Sequence, residues 1–256
     1  ITFRKFNNLV NTFINTIEKS HYTIKRLAID LSSKLEMLVT IIGCNRLNIV
    51  PIVLPPKNKQ IPSVDYKKIS RADFVLNDNN CIIQLNNEND NKIDSSEIQC
   101  ILFTSGSKGV PSAVELTYVN ILSSSSNWNQ ILNFNKKEYY LNILPLYHIG
   151  GLSIFFRCIY FGFTAVIFDY NKNNVIKQIL NYKIDYISLV PKMIYDIINK
   201  KGLKVLGASI KVLVVGGDYI LDTGIITDLE KYYHGGIEIA VVNGPASFQS
   251  EWGIVS

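Results

Sequence analysis

Residues 26–56 read RLAIDLSSKLEMLVTIIGCNRLNIVPIVLPP, and the order of patterns within them decides the fold. Arg26 to Leu31 is a short aliphatic run that reads as a strand. Ser33 stands where a helix N-cap belongs, and the residues after it carry a helix to about Leu47. Ile49 to Leu54 is a second buried run, closed by Pro55 and Pro56. Upstream, Phe3, Phe6, Val10, Phe13, Ile14 and Ile17 fall on one helical face, with Thr2 as its cap. A helix–strand–helix–strand opening predicts a parallel sheet with helices covering it.

The alternation resumes downstream. Asn86 to Glu97 is polar, acidic and rich in Asn, and reads as a surface loop. Ile98 to Phe103 is an apolar strand. Helices are predicted near Val119–Leu132, Leu152–Tyr160, Val175–Leu180 and Pro191–Asn199, with Pro191 in a first turn where its missing N–H costs least. Strands are predicted at Tyr139–Ile143, Thr164–Phe168, Asp185–Leu189, Lys211–Val215 and Ile237–Val242, with a helix between the last two. The expected fold class is α/β, with parallel-rich sheets covered by helices. It forms one core domain over residues 1–256, divided into a first α/β subdomain at 1–97 and a second at 98–256 that carries the candidate sites.

Composition narrows the function classes. Apolar residues are 47% and charged residues 18% of the 256, which is globular rather than disordered. A net charge of +5, scattered along the chain, gives no reason to expect a nucleic-acid partner. Cys44, Cys81, Cys100 and Cys158 lack metal or redox spacing and are expected as buried free thiols in a reducing compartment. Ile149 to Phe168 holds a single charge, Arg157, but glycines at 150, 151 and 162 break it into a buried helix, a turn and a strand rather than a membrane span. The chain starts at Ile1 without a signal segment, which reads as a fragment at both ends of a cytoplasmic, stromal or matrix protein.

Four turns follow predicted strands. Thr104-Ser105-Gly106-Ser107-Lys108-Gly109 combines hydroxyls, glycines and one Lys, a composition suited to cradling phosphate. It fits neither a Walker A loop nor a nucleophile elbow, and taken alone it is equally a surface turn. Leu144-Pro145-Leu146-Tyr147-His148-Ile149-Gly150-Gly151 places a histidine at a strand end just before a helix, where open α/β sheets bind ligands; a structural histidine is the alternative. Gly216-Gly217-Asp218 permits close approach of a flat or anionic ligand. Asn243-Gly244-Pro245-Ala246-Ser247 is a further strand-end turn.

In this order and spacing the four turns resemble the adenylate-forming superfamily of acyl-CoA synthetases, peptide-synthetase adenylation domains and luciferases, over nearly the whole chain. The stretch from Leu144 to Ser153 most resembles the o-succinylbenzoate–CoA ligase branch, which serves menaquinone and phylloquinone synthesis. The resemblance implies the large N-terminal domain of such an enzyme, with the small C-terminal domain and its catalytic Lys absent. It implies ATP, Mg²⁺ and coenzyme A, with a small carboxylic acid as substrate. The acid's carboxylate attacks the α-phosphate of ATP, and coenzyme A then displaces AMP. Thr104 to Gly109 would hold the phosphates, with Lys108 supplying charge. Gly216, Gly217 and Asp218 would lie by the adenine, with Asn243, Gly244 and Pro245 where the family writes its Tyr-Gly turn. His148, Gly150, Gly151 and Phe155 would line the acid site, the two glycines leaving room for the substrate.

The sequence departs from that pattern in places. Ser112 and Ala113 stand where the family has Lys and Gly. Ala246 and Ser247 replace a phosphate-contacting Thr and a metal-holding Glu, and a serine hydroxyl is a poor ligand for a hard cation; Glu251 lies four residues on. These departures keep a non-catalytic nucleotide- or acyl-binding member open as an alternative, beside a fatty-acid or aryl-acid ligase.

Overall fold

Both predicted caps at the start of the chain form as the sequence requires. The Thr2 hydroxyl accepts the Lys5 N–H at 3.2 Å and opens α1 (Phe3–Lys19). The Ser33 hydroxyl accepts the Glu36 N–H at 3.3 Å and opens α2 (Lys34–Arg46), which follows β1 (Arg26–Asp30). The structure is a computed structural model that describes residues 1–62, 64–79, 81–85, 97–104, 111–198, 210–216, 238–241 and 253–255. It divides into two compact units, Ile1–Ser124 with Leu146–Ile149, and Ser125–Pro145 with Gly150–Ser256.

In the first unit β2 (Val50–Val53), α3 (Tyr66–Ile69), β3 (Phe74–Asn77), β4 (Ile82–Gln84), β5 (Ile98–Thr104) and β6 (Ser112–Thr117) complete a six-stranded sheet of order β4-β3-β1-β2-β5-β6. The central β3, β1, β2 and β5 run parallel, and β4 and β6 are antiparallel edges. The subdomain boundary expected between residues 97 and 98 differs from this arrangement. β5 pairs with β2 through Ile101 and Ile52, so the first sheet is closed only by a strand drawn from beyond that boundary, and the break falls at Ser124/Ser125. Three strands of this sheet were not anticipated, β3, β4 and β6, because each is short or half exposed and shows little apolar period of its own; nor was the three-residue strand Gly253–Val255 of the second sheet. Cys44, Cys100 and Cys158 are buried, and burial pushes the Cys100 thiol up to about 12 and Cys158 to about 11. Cys81 is exposed, against expectation, because it sits in the turn between β3 and β4.

The second unit is built on α4 (Tyr118–Leu132) from Ser125 onward, β7 (Tyr139–Asn142), α5 (Ile149–Phe161) from Gly150 onward, β8 (Thr164–Ile167), α6 (Val175–Tyr182), β9 (Tyr186–Leu189), α7 (Pro191–Ile198), β10 (Val212–Val215), β11 (Glu238–Val241) and β12 (Gly253–Val255). Its sheet has the order β12-β11-β10-β9-β7-β8, all parallel except β12. Leu141, Ile143, Ile187, Leu189, Leu213 and Val215 pack with α6 and α7 residues, whereas Tyr140, Tyr186, Val212 and Val214 pack with Trp128, Ile154 and Cys158. Both faces are thus covered, as the unbroken apolar strands foretold. The apolar run from Ile149 resolves into α5, a turn at Gly162 with φ +78°, and β8. Among the described residues no helix is long and apolar enough to cross a membrane. The helix expected between the last two predicted strands lies outside the described residues.

At the amino ends of the central strands, Lys211 Nζ lies 2.6 Å from Glu138 and 3.1 Å from Asp185. Desolvation pushes the Glu138 carboxyl upward, but hydrogen bonds from Lys211, Tyr186 and the Asn135 backbone together outweigh it and leave its pKa lowered. A lowered folded-state pKa means stability that is present above the unfolded value and lost as pH falls through the folded one. Melting temperature compared between the parent and Glu138→Gln should therefore favour the parent at neutral pH. The difference should vanish in acid, below the ordinary carboxylate value of 4.5.

Candidate functional site

In the first unit, β5 is buried until its last residue, Thr104, which is exposed. Thr104 is the register partner of Ser112 at the start of β6. The glycine- and hydroxyl-bearing segment is therefore the connection of an antiparallel hairpin leaving the carboxyl end of a parallel strand. A Walker A loop, by contrast, leads from strand into helix. Ser105, Gly106, Ser107, Lys108 and Gly109 lie outside the described residues.

In the second unit the strand order creates a place for a ligand. β7 is followed by α5 and then β8 on one side, while β9 is followed by α7 and then β10 on the other. The connections diverge at the carboxyl ends of β7 and β9, and open α/β sheets bind ligands at such a switch point. The predicted histidine turn follows β7 in the chain, and its residues Leu146–Ile149 group with the first unit. His148 is solvent-accessible and its ring lies 4.4 Å from that of Tyr147. Surrounding protein nevertheless desolvates the imidazole enough to lower its pKa.

Of the other expected acid-site residues, Gly150 is exposed, and a Cβ there would meet only Leu144 Cδ1 at 3.4 Å. Gly151 differs from the expectation that its missing side chain leaves room for substrate. A Cβ on it would lie 2.3 Å from the Pro145 carbonyl oxygen and 2.9 Å from that of Leu144. That space is filled by the turn's own backbone, and the glycine permits the close approach of α5. Phe155 is buried. Gly216 follows β10, and its N–H donates to the Leu189 carbonyl at 3.2 Å, extending the ladder beyond the strand end. Gly217, Asp218, Asn243, Gly244, Pro245, Ala246, Ser247 and Glu251 lie outside the described residues.

Sequence reasoning missed the polar cluster under the switch point. Arg157 on α5 is 6% exposed, with its guanidinium 4.7 Å over the Trp128 ring. It hydrogen-bonds the Tyr140 hydroxyl, which shares a 2.7 Å bond with Ser188 Oγ, one residue before the end of β9. Burial pushes Arg157 down to about 10, and among the described residues its Nε has no partner. Buried arginines are normally paired with carboxylates. The signal was present in the sequence, since Arg157 is the lone charge in an apolar run that otherwise has the character of a membrane span. Fully buried Asn142 ends β7; its Nδ2 donates to the Gly151 carbonyl at 2.8 Å and its Oδ1 has no partner among the described residues. Among the described residues no three His, Cys, Asp or Glu side chains converge as a metal site.

Comparison with known proteins agrees with this architecture. The family model described as AMP-binding enzyme matches residues 56–233. The chain is 34% identical over 150 residues to 2-succinylbenzoate–CoA ligase of Staphylococcus aureus, covering 52% of this chain and 30% of that protein. It is 37% identical over 102 residues to the enzyme of the same name from Staphylococcus epidermidis, covering 40% and 22%. The chain thus spans less than a third of the length of these relatives. Among solved structures, o-succinylbenzoate coenzyme A synthetase from Bacillus subtilis in complex with AMP superposes with a TM-score of 0.79 at 20% identity, over 95% of this chain and 67% of that one. The N-terminal subdomain of Klebsiella oxytoca NpsA superposes with a TM-score of 0.80 at 15% identity, over 100% and 70%.

Proposed function

Because the chain belongs to the family of AMP-binding enzymes, we propose that it carries the nucleotide- and acid-binding part of an ATP-dependent acid–CoA ligase whose substrate is 2-succinylbenzoate or a similar aromatic dicarboxylate. The curated relatives bearing that name support the reaction class. The observation that carries the substrate class is Arg157, a buried cation beneath the carboxyl ends of β7 and β9 on which no described carboxylate acts. An acid with two carboxylates keeps one after the other is activated, and a buried guanidinium suits the one that remains.

In the first step a carboxylate oxygen bonds to the α-phosphorus of ATP and pyrophosphate leaves. In the second the thiolate of coenzyme A bonds to the acyl carbon and AMP leaves. The chain's part is positioning and charge neutralisation. Thr104 to Gly109 take the phosphates, Gly216 to Asp218 and Asn243 to Pro245 the adenylate side, and His148 with Gly150 borders the acid. Magnesium is expected with ATP, whose phosphates would supply much of its coordination.

Lys108→Ala should weaken ATP more than AMP in calorimetry, since the lost charge faces the outer phosphates. Equal weakening would place Lys108 elsewhere. Ala246 and Ser247 favour a second reading, a member that binds nucleotide and acid without joining them. Acid-dependent pyrophosphate–ATP exchange across a panel of 2-succinylbenzoate, benzoate, succinate and fatty acids decides between the two. Exchange selective for the aromatic dicarboxylate supports the ligase, and binding without exchange supports the second reading.

A further inference from the structure

We infer that Asn142 is a positioning residue for the acid-activating turn, holding the His148 segment in place by a side-chain clasp across its base. Its catalytic consequence rests on the ligase reading above. Asn142 is the last residue of β7 and is wholly buried on the Tyr140 face of the sheet, one step beyond the paired Leu141 and Ile187. A buried amide is unfavourable unless it is bonded. Among the described residues its bond is a single one, from Nδ2 to the carbonyl of Gly151.

That carbonyl belongs to the first turn of α5, where a helix normally satisfies it from within. The side chain therefore answers no orphan helix carbonyl. What it does is close the chain from Asn142 to Gly151 into a loop. The same loop is fixed a second time by the approach of Gly151 to the Pro145 carbonyl. Between the two fixings stands the segment Leu146–Ile149, which groups with the first unit and in which Leu146 is buried; Tyr147 and His148 lie on it. A histidine that must meet a reacting carboxylate needs its turn held to a fraction of an ångström, and a buried amide at the strand end supplies a rigid anchor for that turn.

The test uses Asn142→Ala, which removes the clasp, and Asn142→Asp, which keeps the volume but sets an acceptor against the Gly151 carbonyl. Two readouts are taken beside thermal melting. The first is pyrophosphate–ATP exchange with 2-succinylbenzoate. Both variants should lower kcat by about 10²-fold, the scale of an ångström misplacement, with KM for ATP unchanged. The second is the imidazole resonance of His148, identified against His148→Ala among the chain's three histidines. In the parent it should titrate below the ordinary imidazole value, and in both variants it should move back toward that value, about 6.5. A fall in melting temperature with kcat per folded molecule and the His148 titration both at parent values overturns the inference. If the parent itself exchanges with no acid, the ligase reading fails, and the His148 titration alone decides: unmoved by both substitutions, it overturns the clasp.

Discussion

Arg157→Met is expected to weaken binding of 2-succinylbenzoate by about 2–5 kcal/mol, the range for removing one partner of a buried charge pair. Benzoate, which has no second carboxylate, should bind Arg157→Met and the parent alike. The substitution should change stability little. Methionine fills much the same space, and burying an arginine without a carboxylate is itself unfavourable, so removing the charge offsets the lost contact with Trp128 and the lost bond to Tyr140. Calorimetry with the two acids and a thermal melt check it. If the mono- and dicarboxylic acids weaken equally, or the melting transition is lost, Arg157 is an internal brace and the substrate class proposed above loses its support.

The second large effect is expected at Gly151. On helix propensity alone, Gly151→Ala should stabilise α5 by about 1 kcal/mol. The structure reverses the sign. The three atoms that the new methyl would meet closest are backbone, Pro145 O, Pro145 C and Leu144 O at 2.3, 2.8 and 2.9 Å, so no rotamer change relieves the contact. Overpacking of this kind destabilises by about 1–3 kcal/mol, and the turn bearing His148 must shift to absorb it. A lowered melting temperature together with loss of acid binding is therefore expected. Gly150→Ala is the control, because its closest neighbour is a movable Leu144 methyl at 3.4 Å; it should melt at or above the parent temperature. A Gly151→Ala variant more stable than the parent would show that α5 does not approach the Pro145 carbonyl this closely.

His148, Arg157 and Asn142 are three different kinds of group. His148 is accessible and is proposed to meet the substrate. Arg157 supplies charge from within the α5 layer. Asn142 contacts only the protein and acts through the turn. The predictions separate them accordingly: Arg157 by discrimination between acids, Asn142 by kcat and the titration of another residue, and Gly151 by stability.

The sequence by itself determined the α/β class, both amino-terminal caps and the position of each parallel strand of the second sheet. These follow from local chemistry. A Ser or Thr hydroxyl satisfies helix N–H groups wherever it precedes an apolar face, and a strand covered on both sides must be apolar throughout. It also singled out the turn at His148, because a lone histidine between a strand and a glycine pair is visible in one dimension. Only the tertiary structure decided which sheet β5 joins, since pairing with β2 is a long-range contact that neither strand's composition specifies. The same holds for the short β3 and the half-exposed β4 and β6, whose form is set by neighbours rather than by period. Gly151 reads in sequence as room for a ligand and in the fold as room for a carbonyl, because whether a missing side chain leaves space depends on what else reaches it. Arg157 and Asn142 became candidates only when β7, β9 and α5 were brought together. A buried charge or amide is informative through the partners it has or lacks, and those partners are fixed in three dimensions.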